Sequence, residues 1–121
     1  MDDKQFRASH RYARISSRKA RPVADLVRGK ALNAALEELQ FCHRRASSML
    51  TKVLRSAMAN AGQDLDVDVN RLYVKDVRVD EGPTLNRWRP RAQGRVYPIL
   101  KRSSHISVVL AEAPEEQQER E

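Results

Sequence analysis

The chain has very little cysteine and no long apolar run. Cys42 is its only cysteine, so an intrachain disulfide is impossible and a reducing compartment fits. No apolar segment approaches the ~20 residues that a membrane-spanning helix needs. The first residues, MDDKQFRASHR, are charged from the start, so we expect no signal peptide. These absences predict a soluble, cytoplasmic protein with a single domain.

Acidic residues are missing from one long stretch. Residues 82–111 contain six Lys/Arg and no Asp/Glu, whereas residues 37–81 contain seven basic residues and eight acidic ones. Residues 4–36 are also basic, with nine Lys/Arg against one Asp, and the whole chain carries a net charge of +7. Burying so many unpaired charges in the protein would cost their hydration. Two basic segments around a balanced middle therefore predict contact with a nucleic acid.

Patterns typical of catalysis and metal binding are absent as well. The three histidines have no partners at metal-ligand spacing, and no nucleophile–base pattern or glycine-rich phosphate loop is present. The D-x-D-x-D run at residues 64–68 lacks the following glycine and the distal glutamate of a calcium loop. We expect no metal, no cofactor and no enzymatic activity.

The apolar periodicity predicts an α+β fold. Helices are expected over 18–28, 32–41 and 45–61, and strands over 71–80, over 99–110 and before Ile15. Ser16 or Ser17 suits the N-cap of the first helix, whereas Pro22 predicts a bend or a later start. Between Val74 and Val77 the apolar residues change face, which predicts a bulge or burial on both faces.

Residues 81–98 are too long for a tight turn, and Pro90 and Gly94 are natural tip residues. Extended at ~3.3 Å per residue, the chain from Asp80 to Pro90 would project roughly 30 Å. The sequence therefore predicts an arm within a single domain of residues 1–112. Residues 113–121 are predicted to be an acidic, disordered tail.

The first basic cluster, residues 7–21, combines arginines that can fork onto phosphates with serine hydroxyls near a helix N-terminus. The alternative is a solvated positive face. In the arm, Trp88 and Tyr97 lie among four arginines, and their rings suit stacking on unpaired bases. A core position is the alternative for Trp88, and for Tyr97 the two readings are equal.

Other single residues allow more than one interpretation. For His10 and His105, RNA contact and an ordinary hydrogen-bonded surface position are both open. His43 is expected to be a helix cap or a surface residue. Cys42 is expected to be a small buried apolar group.

Three segments carry long, specific runs: YARISSRKARPVADLVRGK (12–30), VLRSAMANA (53–61) and LYVKDVRVDEGPTLNRWRPRAQGRVYPILKRSSHISVVL (72–110). They resemble the bacterial large-subunit ribosomal protein L-twenty-two family. The resemblance implies three helices on a small three-stranded antiparallel sheet, with one long protruding β-hairpin at about 77–104. It places the stem at Val77–Gly82 with Val96–Ser104.

The resemblance also implies a function: a structural constituent of the large ribosomal subunit that binds 23S rRNA and supports its assembly. Its hairpin would line the nascent-peptide exit tunnel. The implied partners are large-subunit rRNA, neighbouring ribosomal proteins and the nascent polypeptide, with no membrane and no homo-oligomer. The rivals are a nucleic-acid-binding regulator outside the ribosome, an enzyme acting on RNA and a basic membrane-surface protein.

Together, the basic clusters and the resemblance predict the site residues. The rRNA-binding residues are Arg7, His10, Arg11, Arg14, Ser16, Ser17, Arg18, Lys19, Arg21, Arg28, Lys30, Arg87, Arg89, Arg91, Arg95, Lys101, Arg102 and His105. The tunnel-lining tip is Leu85, Asn86, Arg87, Trp88, Arg89, Pro90, Arg91, Ala92, Gln93, Gly94 and Arg95.

Overall fold

The computed structural model describes residues 4–112 and has an α+β fold. The helices are α1 (Ser17–Val27), α2 (Leu32–Gln40) and α3 (Arg45–Gly62). The strands are β1 (Gln5–Ala13), β2 (Leu72–Glu81), β3 (Leu85–Pro90), β4 (Val96–Lys101) and β5 (Ser104–Glu112). The predicted fold class and its three helices are confirmed. The predicted tail, 113–121, lies outside the described residues, as do residues 1–3.

Three of the strands form an antiparallel sheet in the order β1-β5-β2. Along the central strand, Ile106, Val108 and Leu110 are fully buried, while the residues between them are only half-buried. Because side chains alternate across a strand, one face of the sheet is covered and the other is open. The helices pack on the covered face, where α3 meets β1 and β5 and α1 meets β2.

Helix α1 runs through Pro22 without interruption, so the predicted later start is wrong. The proline removes a backbone N–H that would bond to the carbonyl of Arg18, but Pro22 and Arg18 are both exposed. Water can therefore donate a hydrogen bond to the Arg18 carbonyl. Val23 and Val27 on the other side are fully buried, and this packing holds the helix together across the proline.

The bulge predicted in β2 is confirmed. The register of β2 against β5 shifts between Val74, opposite Leu110, and Asp76, opposite Val109. The extra residue keeps both Val74 and Val77 in the core, although they lie three positions apart.

The predicted strand 99–110 and the predicted hairpin stem are corrected. Val77 to Glu81 pairs with Ser104 to Val108, whereas β4 pairs with β3 in a separate two-stranded sheet. The chain passes from one sheet to the other at Ser103. The Ser103 carbonyl accepts a hydrogen bond from the Gly82 N–H, and the Ser103 hydroxyl donates one to the Pro83 carbonyl at 2.6 Å. Pro83 has no N–H to continue the ladder, so one sheet ends there.

Candidate nucleic-acid interface

The open side of β1 presents a row of polar and basic side chains. Arg7, Ser9 and Arg11 are exposed, while Phe6 and Ala8 between them are half-buried. Asn60 of α3 donates its side-chain amide to the Arg7 carbonyl at 2.9 Å and ties this row to the helix below.

At the end of that row a bulge exposes an aromatic ring. The register shifts between His10 and Ala13, and Tyr12 has a positive φ of 60°. The Tyr12 N–H donates to Nδ1 of His105 at 3.0 Å, and the two rings meet edge to face at 4.9 Å. Since Nδ1 accepts this hydrogen bond, the proton of the neutral ring lies on Nε2. The bulge therefore joins His105 to β1.

The prediction missed Tyr12. Its ring is 58% exposed, and the Arg11 guanidinium lies 5.6 Å from the ring centroid. An exposed ring beside an arginine offers a stacking surface for a base. The signal in the sequence is a change of phase, because Phe6, Ala8 and His10 alternate but Ala13 and Ile15 fall one position out of step.

The two serines predicted to bind RNA at the start of α1, Ser16 and Ser17, lie in different environments. Ser16 occupies the N-cap position without a capping hydrogen bond from its side chain, and Ser17 is buried. Arg14, Arg18 and Lys19 around them are exposed. The exposed cations there, rather than Ser17, are accessible to a phosphate.

Three predicted RNA-binding cations have partners inside the chain. Arg21 on α1 and Arg28 directly after it donate to the carbonyls of Val79 and Val77 on β2 at 3.4 and 2.6 Å. Arg28 also forms an ion pair with Asp25, and Lys30 pairs with Glu38 at 2.9 Å. The arginines thereby cover part of the β2 edge that lacks a neighbouring strand.

The remaining predicted cations behave differently. Within residues 4–112, none of them forms an ion pair with a carboxylate, and all are exposed. We call this set the free cations: Arg7, Arg11, Arg14, Arg18, Lys19, Arg87, Arg89, Arg91, Arg95, Lys101 and Arg102.

The two-stranded sheet of β3 and β4, here called the ribbon, makes its main contacts within itself. Every residue from Pro83 to Pro98 is exposed. Trp88 is 64% exposed, which confirms that it is not a core residue.

The ribbon has two chemically distinct faces, because directly paired residues of antiparallel strands lie on the same side. The pairs Leu85–Lys101, Arg87–Ile99 and Arg89–Tyr97 share one side, and Asn86–Leu100, Trp88–Pro98 and Pro90–Val96 share the other. We call these the basic face and the apolar face. All three cations of β3 and β4 lie on the basic face.

The chain reverses between Arg91 and Arg95, where the Arg91 N–H donates to the Arg95 carbonyl at 2.7 Å. Gln93 and Gly94 have φ values of 64° and 71°, and this left-handed pair closes the turn. An open groove of about 600 Å³ lies here, and it is lined by Arg91, Ala92, Gln93, Arg95 and Tyr97. The predicted tip, Leu85–Arg95, thus comprises strand β3 and a short turn.

The other predicted residues lie apart from this surface. His10 is half-buried beside Ala8 on the core side, His43 is exposed, and Cys42 is half-buried. Among the described residues, no three His, Cys, Asp or Glu side chains are grouped to hold a metal ion. No helix within residues 4–112 has both the length and the apolarity to cross a membrane.

Comparison with known proteins identifies the family. Residues 8–111 match the family described as ribosomal protein L22p/L17e. The chain is 50% identical over 108 residues to the Bdellovibrio bacteriovorus protein named large ribosomal subunit protein uL22, covering 89% of this chain and 98% of that protein. Proteins of the same name from Desulfitobacterium hafniense (53% over 111 residues; 92% and 97%) and Syntrophobacter fumaroxidans (51% over 108 residues; 89% and 98%) are similarly close.

This fold and these relatives define a ribosomal protein that is a structural constituent of the large subunit and not an enzyme. The chain belongs to the ribosomal protein L22p/L17e family. The resemblance noted in the sequence is confirmed, and the interpretation as an RNA-acting enzyme is wrong.

Proposed function

We propose that this chain binds large-subunit rRNA through its free cations, supports folding of that RNA, and lines the nascent-peptide exit tunnel with its ribbon. It would act in the cytoplasm, bound to the ribosome. The observation that carries the proposal is the ribbon: every residue from Pro83 to Pro98 is exposed, and no acidic residue occurs from 82 to 111.

The free cations supply the affinity. RNA segments that crowd together repel each other through their phosphates, and arginine neutralises a phosphate with two parallel hydrogen bonds. On the globular part, Arg7 and Arg11 extend from β1, while Arg14, Arg18 and Lys19 surround the start of α1. They form one continuous segment of chain, so a single RNA region can engage them together.

The difference in side-chain chemistry between the two faces of the ribbon supports a different binding partner for each face. Arg87, Arg89 and Lys101 on the basic face suit phosphates, and Tyr97 beside them suits stacking on a base. The apolar face carries Trp88, Pro98 and Leu100 and has no charge to offer RNA. The basic face therefore packs on rRNA, and the apolar face looks toward the emerging peptide.

Photo-crosslinking tests this assignment with a matched pair of aromatic positions. A benzophenone amino acid replaces Trp88 in one variant and Tyr97 in the other, and translating ribosomes carrying each variant are irradiated. We expect the probe at Trp88 to link to the nascent chain and the probe at Tyr97 to link to rRNA. Links to the same partner from both positions would refute the assignment of faces. Absence of the chain from large subunits would refute the whole proposal.

A further inference from the structure

A groove between α1 and α2 belongs to neither the free cations nor the ribbon. It has a volume of about 470 Å³ and is lined by Leu26, Ala34, Glu37, Glu38, Phe41 and Cys42. Phe41 is 77% exposed and Leu26 is 40% exposed, so two large apolar side chains of neighbouring elements face solvent together. An exposed apolar pair beside a concave surface is typical of a protein contact.

The lining of this α1–α2 groove is acidic, in contrast to the basic segments that carry the free cations. Residues 31–43 contain two glutamates and no lysine or arginine, in a chain with a net charge of +7. Glu38 pairs with Lys30, but Glu37 has no ion-pair partner within the described part of the chain. A phosphate backbone approaching this surface would meet a carboxylate, so RNA is disfavoured here.

This chain does not supply a suitable occupant either. Residues 1–3 are Met-Asp-Asp, and residues 113–121 carry four glutamates and one arginine, so both segments share the sign of Glu37. A second copy in a two-fold dimer would set the same patch against itself and bring the glutamates of both copies together. Like charges directly opposed across an interface cost affinity.

We propose that the α1–α2 groove binds a lysine- or arginine-rich segment of another ribosomal protein, with an apolar side chain of that segment packed against Phe41. The proposal rests on the chain being bound in the large subunit. Proteins that bind the same RNA carry basic segments. A segment of this kind would complement both the Glu37 carboxylate and the apolar side chains of Leu26 and Phe41. The groove is thus a protein-facing surface on a protein that otherwise faces RNA.

Crosslinking within purified large subunits tests the occupant. A benzophenone amino acid replaces Phe41, and in a control variant it replaces Leu65, which is 97% exposed in the connection after α3. We expect the probe at position 41 to link to a Lys/Arg-rich peptide of one other ribosomal protein, identified by mass spectrometry. Links to rRNA, to a second copy or to residues 113–121 would overturn the proposal, as would links to the same peptide from both positions or no link from position 41.

A charge reversal separates specific binding from mere proximity. With the probe at position 41, the additional change Glu37→Lys should lower the yield of that crosslink about tenfold. Asp66→Lys is the control, because Asp66 is also an exposed acid but lies in the connection after α3. An unchanged yield in the Glu37 variant would overturn the role of charge. The amount of chain in the subunits is measured in parallel: its absence would contradict the proposed function, whereas its presence with links elsewhere would contradict only this inference.

Discussion

Ser104 and Ile15 are 89 positions apart in the sequence, yet the Ser104 hydroxyl donates a 2.7 Å hydrogen bond to the Ile15 carbonyl. Ser104 is fully buried, and Ile15 is buried beside it. The bond joins the first residue of β5 to the turn between β1 and α1. It thus connects the segment that follows the ribbon to the segment that leads into α1.

Removing this hydroxyl should weaken the fold. In Ser104→Ala the Ile15 carbonyl stays buried without its partner, so we expect a loss of about 1–3 kcal/mol in the free energy of unfolding. Urea denaturation measures it, with Ser107→Ala on the same strand as the control. Equal stabilities of the two variants would contradict a structural role for the bond.

Arg18 on α1 and Arg28 directly after this helix should have different roles. Arg28 donates to a backbone carbonyl of β2, so Arg28→Ala should cost about 1 kcal/mol of stability, allowing for its partial exposure. Arg18 is a free cation on α1, so Arg18→Ala should change stability by less than about 0.5 kcal/mol but weaken rRNA binding. Thermal unfolding and filter binding on both variants check the two effects. A stability loss in Arg18→Ala matching that of Arg28→Ala would remove the distinction.

The junction between the two sheets leaves no room for a side chain at position 82. A Cβ on Gly82 would lie 2.7 Å from Ser103 Oγ and 3.3 Å from two atoms of the His105 ring. Gly82→Ala should therefore destabilise the protein by about 1–2 kcal/mol, because Ser103 must rotate away from the Pro83 carbonyl. Adding Ser103→Ala removes the clashing oxygen, so the double variant should lose less than the sum of the two single losses. Strict additivity in denaturant titrations would argue against the clash.

Binding to rRNA should depend steeply on salt. With about 6–10 phosphate contacts, behaviour like that of B-DNA predicts a loss of roughly 10³–10⁵ in affinity between 50 and 200 mM salt. Removing one free cation, as in Arg18→Ala, should reduce the slope of log K against log salt by about one unit. The Asp66→Lys variant serves as an opposite-charge control at an exposed position that is not one of the free cations. Salt-independent affinity would refute an electrostatic mode of binding.

One ion pair predicts a pH effect on stability. A hydrogen bond from Lys4 at 2.8 Å lowers the pKa of Asp64, and the same bond raises the pKa of Lys4. The stabilisation is therefore lost as the pH falls through the lowered pKa of Asp64, or rises through the raised pKa of Lys4. Lys4→Ala should lower the melting temperature slightly at neutral pH and have no effect once Asp64 is protonated. Lys52→Ala, at an exposed position on α3, is the control; a pH-independent deficit in the Lys4 variant would exclude the pair as its cause.

Local pattern was sufficient for part of this fold. The i, i+4, i+7 spacing of Ala20, Ala24 and Val27 marks the buried side of α1, and the change of face between Val74 and Val77 marks the bulge. Both features depend on residues within a few positions of each other. The exposure of Trp88 also follows locally, because charged residues and a proline flank it.

Features that depend on distant partners could not be predicted in this way. The bulge at Tyr12 is held by His105, 93 positions away, and the start of β5 is set by contacts of Ser103 with Gly82 and Pro83. The segment from Ile99 to Leu110 therefore has the pattern of one strand, although its two ends belong to different sheets. The charge pattern likewise does not predict whether an arginine donates to a backbone carbonyl of its own chain, as Arg28 does, or stays available to bind a phosphate.

The two faces of the ribbon impose a parity rule on insertions and deletions. Adding or removing one residue in β3 would exchange the sides of all residues beyond that point, and Arg89 and Trp88 would no longer keep their respective faces. Adding or removing two residues keeps every later side chain on its original face and alters only the length of the strand. Length variation in this hairpin should therefore occur in even steps wherever both faces are in use.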